Sequence, residues 1–343
     1  MDSQLVVICG LTLVIHLVGT LAYSVRIAGV RTRRVAVSFA LFNILVLVSR
    51  MSNSLQAPFL AKRVERNLGA SSAHRTLLVQ KTAQGKATAN ALFYQWQAAA
   101  PGSRTFTNIP GANGTNYTPT LALTDSGTKY QIQVATLGTE MAGAVQQGSL
   151  HLLGDFRWLL FSATLGTVIG ALLIPTSQRV FSRAVLHFQA HRSILQLLRL
   201  GFFGSGLSQI KASVSLPHPG NVTRLRLVQS VSVGTILLNV AAVALWTVGA
   251  FASLYAGYGS PDLRLTCNTL SPIVNGGATI LMFVFIDPNL SVMTDDVVEG
   301  RMTEPRFRQA IVWLVGSRFA GTVLAQALLV PAAALIVCVA RIL

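Results

Sequence analysis

The stretch TLVIHLVGTLAYSVRIAGVRTRRVAVSFALFNILVLVSRMSNSLQAPFLAKRVER, residues 12–66, decides how the rest of the chain is interpreted. Its two apolar runs stand on either side of a group of four arginines, Arg26, Arg31, Arg33 and Arg34. A second basic cluster follows the second run and consists of Arg50, Lys62, Arg63 and Arg66. This pattern is typical of two helices that cross a bilayer and are joined by a short basic turn.

The composition of the whole chain favours the same interpretation. Of its 343 residues, 52% are hydrophobic and only 11% are charged, whereas soluble domains carry about 25% charged residues. The net charge is +16, but many of the arginines flank apolar runs, where topology and contact with anionic lipids explain them. Nucleic acid is therefore not predicted as a partner. Three scattered cysteines (Cys9, Cys267 and Cys338) indicate neither a disulfide framework nor a zinc site.

The apolar runs predict an α-helical polytopic membrane protein with about six transmembrane helices. Residues 1–68 hold the first two spans, roughly 5–25 and 35–48, and an amphipathic segment in which Pro58 starts or kinks a short surface helix. Residues 154–343 hold the other four. Span three covers roughly 156–174 and closes at Pro175, and the rest lie within 227–258, 267–286 and 311–339. A cytoplasmic amphipathic segment is predicted near 176–226.

Residues 69–153 differ from the rest because apolar density falls, and within them residues 89–138 alternate like strands separated by Gly, Pro and Asn turns. Leu92, Tyr94 and Trp96 fall on one strand face, and Thr128, Tyr130, Ile132 and Val134 fall on another. The pieces around Trp96 and Tyr130 resemble strands C and F of bacterial immunoglobulin-like repeats. The segment is shorter than the ~100 residues of a full domain. We predict a small, truncated, β-sandwich-like insert.

The distribution of basic loops predicts the orientation of the chain. Loops after spans one, three and five are rich in arginine and are assigned to the cytoplasm, so both termini and the insert lie outside. The cluster from Arg50 to Arg66 opposes this assignment, since it lies on the side that the rule leaves neutral.

Several polar residues within or beside the spans are candidates for function. Arg26, Arg31, Arg33 and Arg34 suit a pyrophosphate, because guanidinium groups match its oxygens, although on the residues alone they are more typical of a topological anchor. Arg318 lies deep in span six, where an ionisable group usually faces a cavity or a partner. The other polar residues of the spans include Asn43, Arg50 and Asn275, and also His16, Asn239 and Gln326, which favour hydrogen bonds between helices.

One acidic cluster stands out in FIDPNLSVMTDDVVEG, residues 285–300, and consists of Asp287, Asp295, Asp296 and Glu299. Its carboxylates suit either Mg²⁺ held against a pyrophosphate or ion pairs with loop arginines. His187 and His191 are four residues apart but lack the glutamate of a metalloprotease motif. No Walker or G-x-G-x-x-G loop occurs, so the sequence predicts no cofactor and no resident metal.

The opening stretch, residues 16–65, resembles the Amj family of bacterial lipid II flippases, the alternate to the MurJ type. The resemblance continues in GDFRWLLFSATLGTVIGALLIPT (154–176) and FIDPNLSVMTDDVVEGR (285–301), and it covers roughly 1–68 and 153–343. The insert is the departure from the family.

The resemblance implies a transporter of the bacterial cytoplasmic membrane rather than an enzyme. Its substrate would be lipid II, an undecaprenyl-pyrophosphate-linked disaccharide-pentapeptide, and its other partners membrane lipids. On this view the arginines from Arg26 to Arg34 capture pyrophosphate at the cytoplasmic face. Arg318 and Asn43 line the path, and Arg50 receives the headgroup near the exit. Two alternatives remain: a Mg²⁺-dependent enzyme acting on polyprenyl-pyrophosphate, and a membrane-anchored interaction protein that binds through its immunoglobulin-like insert.

Overall fold

The computed structural model describes residues 3–83, 92–99, 106–112, 129–191, 213–215 and 231–343. The helices in these ranges are α1 (Ser3–Thr32), α2 (Val35–Ala83), α3 (Leu137–His191), α4 (Val233–Gly259), α5 (Arg264–Thr269), α6 (Ser271–Ile280), α7 (Asp287–Val298) and α8 (Glu304–Ile342). A 3₁₀ turn, Pro261–Leu263, precedes α5, and a π-helical turn, Leu281–Ile286, joins α6 to α7. The strands are β1 (Leu92–Ala99), β2 (Thr107–Asn108) and β3 (Lys129–Thr136).

The chain divides into two compact units. The first combines Met1–Val64 with Leu153–Leu343, and the second is Glu65–Leu152. The chain therefore leaves the first unit within α2 and returns to it within α3.

Six helical stretches of the described residues are long and apolar enough to cross a membrane. They are Ser3–Thr32, Val35–Arg66, His151–Phe188, Val233–Gly259, Arg264–Val298 and Glu304–Ile342. The prediction of a polytopic helical protein with about six such helices is confirmed at this level. The fifth stretch is assembled from α5, α6, the π turn and α7.

Two predicted helix boundaries are wrong. Pro58 does not begin a separate helix, because α2 continues through it as far as Ala83. Pro175 does not close span three, because α3 continues through it to His191. Proline removes one backbone hydrogen bond, and a long helix whose neighbours support it tolerates that loss. Residues 176–191 of the predicted amphipathic segment thus belong to α3, and most of its remainder lies outside the described residues.

The turn between α1 and α2 is short because Arg33 adopts a left-handed conformation, with φ 52°. The N–H of Arg34 then donates to the carbonyl of Gly29 at 3.0 Å, a bond that commonly ends a helix. The two helices pack closely here, since a Cβ atom at Gly29 would collide with Oγ of Ser38. The basic turn predicted from the sequence is thus a tight helical hairpin.

The core of the first unit forms where α1, α4 and α8 meet the end of the fifth stretch. One cluster of its buried residues consists of Ile27, Val30, Ala242, Ile286, Leu290, Phe307, Ile311, Leu314 and Val315. Asn239 of α4 fixes α8 to this core, because its Nδ2 donates to the carbonyl of Leu314 at 3.0 Å and to Oγ of Ser317 at 2.7 Å. Asn239 thus acts as the interhelical contact that the sequence favours.

The second unit contains a three-stranded antiparallel sheet in the order β2-β1-β3. The register of β1 on β3 sets Tyr94 opposite Val134 and Trp96 opposite Ile132. The described residues form this one sheet rather than two facing sheets. Residues 69–83 and 137–152, at the two ends of the predicted insert, are helical, and the strands lie between them. Thr128 lies outside the described residues.

Candidate functional site

A cavity of about 310 Å³ lies among the helices of the first unit. Its wall comes from α1, α2, α4, α6, the π turn, α7 and α8, and much of it is apolar, as with Phe42, Leu45, Trp246 and Phe283. The polar lining residues are Tyr23, Arg26, Asn43, Ser49, Arg50, Thr279, Asp287 and Arg318. Three arginines against one aspartate give this lining a formal charge of +2.

Arg26 reaches the cavity from α1 and is held by contacts on two other helices. Its Nη2 donates to Oδ1 of Asp287 at 3.0 Å, and its side chain is only 8% exposed. The guanidinium carbon also lies 5.4 Å from the ring centroids of both Phe39 and Phe42 on α2, which is within the range of cation–π attraction. Its Nη1 is buried and has no hydrogen-bond partner. Arg26 therefore keeps unused donor capacity at the cavity.

Arg318 reaches the cavity from the middle of α8 and is 7% exposed. The ion pairs of the described residues do not include it. Its Nε is buried and has no hydrogen-bond partner. A guanidinium that is removed from water without a counter-ion is costly, particularly at membrane depth. An anion that entered the cavity would remove this cost.

One face of α1 makes room for Arg318. Gly19, Ala22, Tyr23 and Arg26 all line the cavity and follow each other at helical spacing. A Cβ atom at Gly19 would collide with Nη2 of Arg318 and would lie 3.1 Å from its Cζ. Gly19 and Tyr23 are site residues that the sequence analysis missed, although their spacing relative to Arg26 was a signal that could have found them.

Asn43 and Arg50 line the same cavity from α2 and are both exposed. They are seven residues apart, which sets them two helical turns from each other on one face. Of the seven residues predicted to meet a headgroup, the structure thus brings together Arg26, Asn43, Arg50 and Arg318.

The other three predicted arginines do not line this cavity. Arg31 lies 3.5 Å from the carboxylate of Glu304 at the start of α8. Arg33 and Arg34 form the turn between α1 and α2, where both are exposed. They follow Arg26 by two helical turns along the chain, so they belong to the end of the hairpin rather than to the cavity.

The acidic cluster is divided by the fold. Asp287 lines the cavity and pairs with Arg26, whereas Asp296 pairs with Arg301 at 2.7 Å. Glu299 also pairs with Arg301, and Asp295 is exposed on α7. The described residues contain no group of three His, Cys, Asp or Glu side chains that could hold a metal ion.

The remaining polar candidates lie outside the cavity lining. His16 is buried on α1, with Nδ1 lacking a hydrogen-bond partner. Oδ1 of Asn275 is also buried and unpartnered, and it packs where Gly249 of α4 has no side chain. Gln326 donates to Oγ1 of Thr164 at 3.4 Å, so it joins α8 to α3. The two histidines of the sequence pattern, His187 and His191, lie on consecutive turns of α3.

A family model described as Alternate to MurJ, Amj, matches residues 11–340. The chain belongs to the Amj family. It is 28% identical over 335 residues to the lipid II flippase Amj of Bacillus subtilis (strain 168), an alignment that covers 96% of this chain and 94% of that protein. No solved structure matches the chain. The match spans every residue that lines the cavity, from Val18 to Arg318.

Proposed function

We propose that this protein is a lipid II flippase, a multi-pass transporter of the cytoplasmic membrane. It would move the undecaprenyl-pyrophosphate-linked peptidoglycan precursor from the inner to the outer leaflet. Membership of the Amj family and the near full-length likeness to a lipid II flippase support this function. The six apolar helices support the location.

The physical difficulty of this task lies in the headgroup. The isoprenoid tail is as apolar as the bilayer, but two phosphates, two sugars and a peptide cannot cross hydrocarbon unaided. A transporter must therefore offer a polar, cationic space inside the bundle while the tail stays in lipid. The cavity offers such a space for the pyrophosphate, because spanning helices line it and its charged groups sum to a net positive charge.

The observation that carries the proposal is the buried guanidinium of Arg318. It has no carboxylate partner among the described residues, and it shares the cavity with Arg26 and Arg50. A pyrophosphate that is esterified at both ends carries two negative charges, equal and opposite to the formal charge of the lining. Guanidinium groups match phosphate oxygens in geometry as well as in charge.

The predicted roles of the individual residues are part of this proposal. Arg318 and Arg26 would hold the pyrophosphate, and Asn43 and Arg50 would contact the headgroup further along α2. Arg31, Arg33 and Arg34 would attract the precursor to the membrane surface. Their exposed positions suit an encounter role better than a binding role, because exposed charges act mainly on association.

Rescue of a strain depleted of its main flippase tests the proposal. Arg318→Gln removes the charge but keeps a polar, though shorter, side chain, and rescue is expected to be lost. Arg306→Gln is the matched control, since Arg306 lies on the same helix, is exposed and does not line the cavity. The level of each variant in the membrane is measured by immunoblot. Full rescue by Arg318→Gln at normal level would refute the role of the cavity.

We also infer that the second unit carries a remnant of an immunoglobulin-like domain. The antiparallel pairing of β1 with β3 supports this inference, because strands C and F of that fold lie side by side in one sheet. On this view the unit lies outside the cell, as the basic loops favour, and is an accessory to transport. In this orientation, protease added to intact cells should cleave within the second unit, residues 65–152.

A further inference from the structure

Asp287 provides the carboxylate in the cavity lining. It forms an ion pair with Arg26, one of the arginines that would bind the headgroup. Its Oδ1 is 3.0 Å from Nη2 of Arg26, and its side chain is 31% exposed while that of Arg26 is 8% exposed. The pair joins α1 to the N-terminal end of α7, across 261 residues of sequence. An anion that enters the cavity therefore meets a guanidinium that already has a counter-ion.

The surroundings of the pair show that its two members are not held equally. Arg26 is fixed by the rings of Phe39 and Phe42 as well as by the core around it. Asp287 is more exposed, and its backbone N–H donates to the carbonyl of Met282, five residues back, at the end of the π turn. The wider π turn is a weaker element than an α turn. Exchange of partners would therefore move Asp287 and leave Arg26 in place.

We propose that Asp287 is a resident counter-ion that a lipid pyrophosphate displaces from Arg26, and that re-forms its ion pair when the headgroup leaves. This inference rests on the proposed function and adds a positioning residue to it. Arg318 would give the first hold on the pyrophosphate, since no carboxylate competes for it in the described part of the chain. Arg26 would engage second, at the expense of its bond to Asp287.

The exchange serves transport because a carrier must release what it binds. A cavity whose arginines were all unpaired would hold a pyrophosphate tightly and let it go slowly, and conduction requires binding that is strong enough for entry yet weak enough for exit. By competing for Arg26, Asp287 lowers the affinity and speeds release. A merely structural ion pair has the opposite signature, because its loss would misplace Arg26 and weaken binding.

The test is titration of the purified full-length protein in detergent with undecaprenyl pyrophosphate, with undecaprenol as the uncharged control. Asp287→Asn is expected to tighten pyrophosphate binding about tenfold, within the usual range of coupling between sites, and to slow transport. Asp287→Glu restores the charge and should bind like the wild type. Asp295→Asn is the matched control, because it is the same change on the same helix outside the cavity. Equal or weaker binding by Asp287→Asn would overturn the proposal.

Two further measurements separate the possible failures. In an Arg26→Gln background the additional change Asp287→Asn should have no effect on the affinity for undecaprenyl pyrophosphate, because the carboxylate acts through that arginine. A tenfold gain in affinity that persists in this background would overturn the proposed exchange. If the Asp287→Asn protein does not fold, the wild-type protein is labelled with a hydrophobic carbodiimide instead. Labelling of Asp287 is expected to increase when undecaprenyl pyrophosphate is added. No increase in labelling would overturn the proposal. If the wild type binds undecaprenyl pyrophosphate no better than undecaprenol, the proposed function itself fails.

Discussion

Gly19→Ala offers a way to disturb the cavity without removing any charge. The new methyl group would collide with Nη2 of Arg318 and would lie 3.1 Å from Cζ, whereas ordinary contact begins at 3.4 Å. Cζ must therefore retreat by at least 0.3 Å, and the terminal nitrogen must move further. Displacements on the order of 1 Å at a reacting or binding group can reduce rates by about 100-fold. We expect transport to fall by roughly 10- to 100-fold.

The stability of the fold should change little in the same variant. The methyl group meets the far end of a side chain rather than backbone, so the cost of overpacking should stay near the lower end of about 1–3 kcal/mol. Replacing glycine by alanine inside a helix returns about 1 kcal/mol. The free energy of unfolding is therefore expected to stay within about 1 kcal/mol of the wild type.

The assay is a leaflet-accessibility measurement of lipid II in cells that depend on this chain as their flippase, with membrane levels measured in parallel. Gly10→Ala is the matched control, because it lies on the same helix and nothing is within 4 Å of its added methyl group. Gly10→Ala should transport like the wild type. If Gly19→Ala does the same while Arg318→Gln is inactive, the position of Arg318 does not matter and the reasoning from geometry is refuted.

Three other predictions address the support of the cavity. Deleting residues 70–150 should preserve rescue, because the first unit is compact without that segment. Arg63 and Asp155, which pair at 2.6 Å, lie on the two helices that the deletion joins. Loss of rescue at a normal protein level would contradict this prediction. Phe42→Leu removes one ring from Arg26 and should lower transport about 5- to 30-fold, the equivalent of a cation–π contact worth 1–2 kcal/mol, whereas Phe42→Tyr should be near normal. Asn239→Ala should destabilise the protein by about 1–2 kcal/mol in a denaturant titration, and no change would mean that its bonds to α8 contribute nothing.

The sequence predicted the spanning helices well because their signal is simple. Twenty apolar residues are needed to cross hydrocarbon, and composition alone reveals them. The helix ends were predicted poorly for the same reason: a run of apolar residues marks the part of a helix that lies in lipid, not the helix itself. Thus α2 continues as far as Ala83 and α3 begins at Leu137, through sequence that carries little apolar signal. The helix boundaries predicted at Pro58 and Pro175 were wrong because proline usually ends helices in water-soluble proteins, whereas α2 and α3 continue through it.

Four of the seven residues predicted to meet a headgroup line the cavity, but the sequence did not show which residues pair with each other. Arg318 stood out because a charge within a span is rare, and Arg26 because it begins the basic group. Nothing local to the sequence paired Arg26 with Asp287, since 261 residues separate them. The separation of Arg26 from Arg31, Arg33 and Arg34 also needed the structure, because the cluster begins inside α1 and ends in the turn between α1 and α2.

The π turn before Asp287 has a consequence for how far that carboxylate can travel. A π turn holds one residue more than the α turn it replaces, so its conversion to α geometry advances everything beyond it by one residue. One residue of an α-helix corresponds to a rotation of about 100° and a rise of about 1.5 Å. Conversion of the π turn Leu281–Ile286 to α geometry would therefore shift the register of α7 by one residue, directly beside the site. Such a step would swing the carboxylate around the axis of α7 while leaving the fifth span helical from end to end.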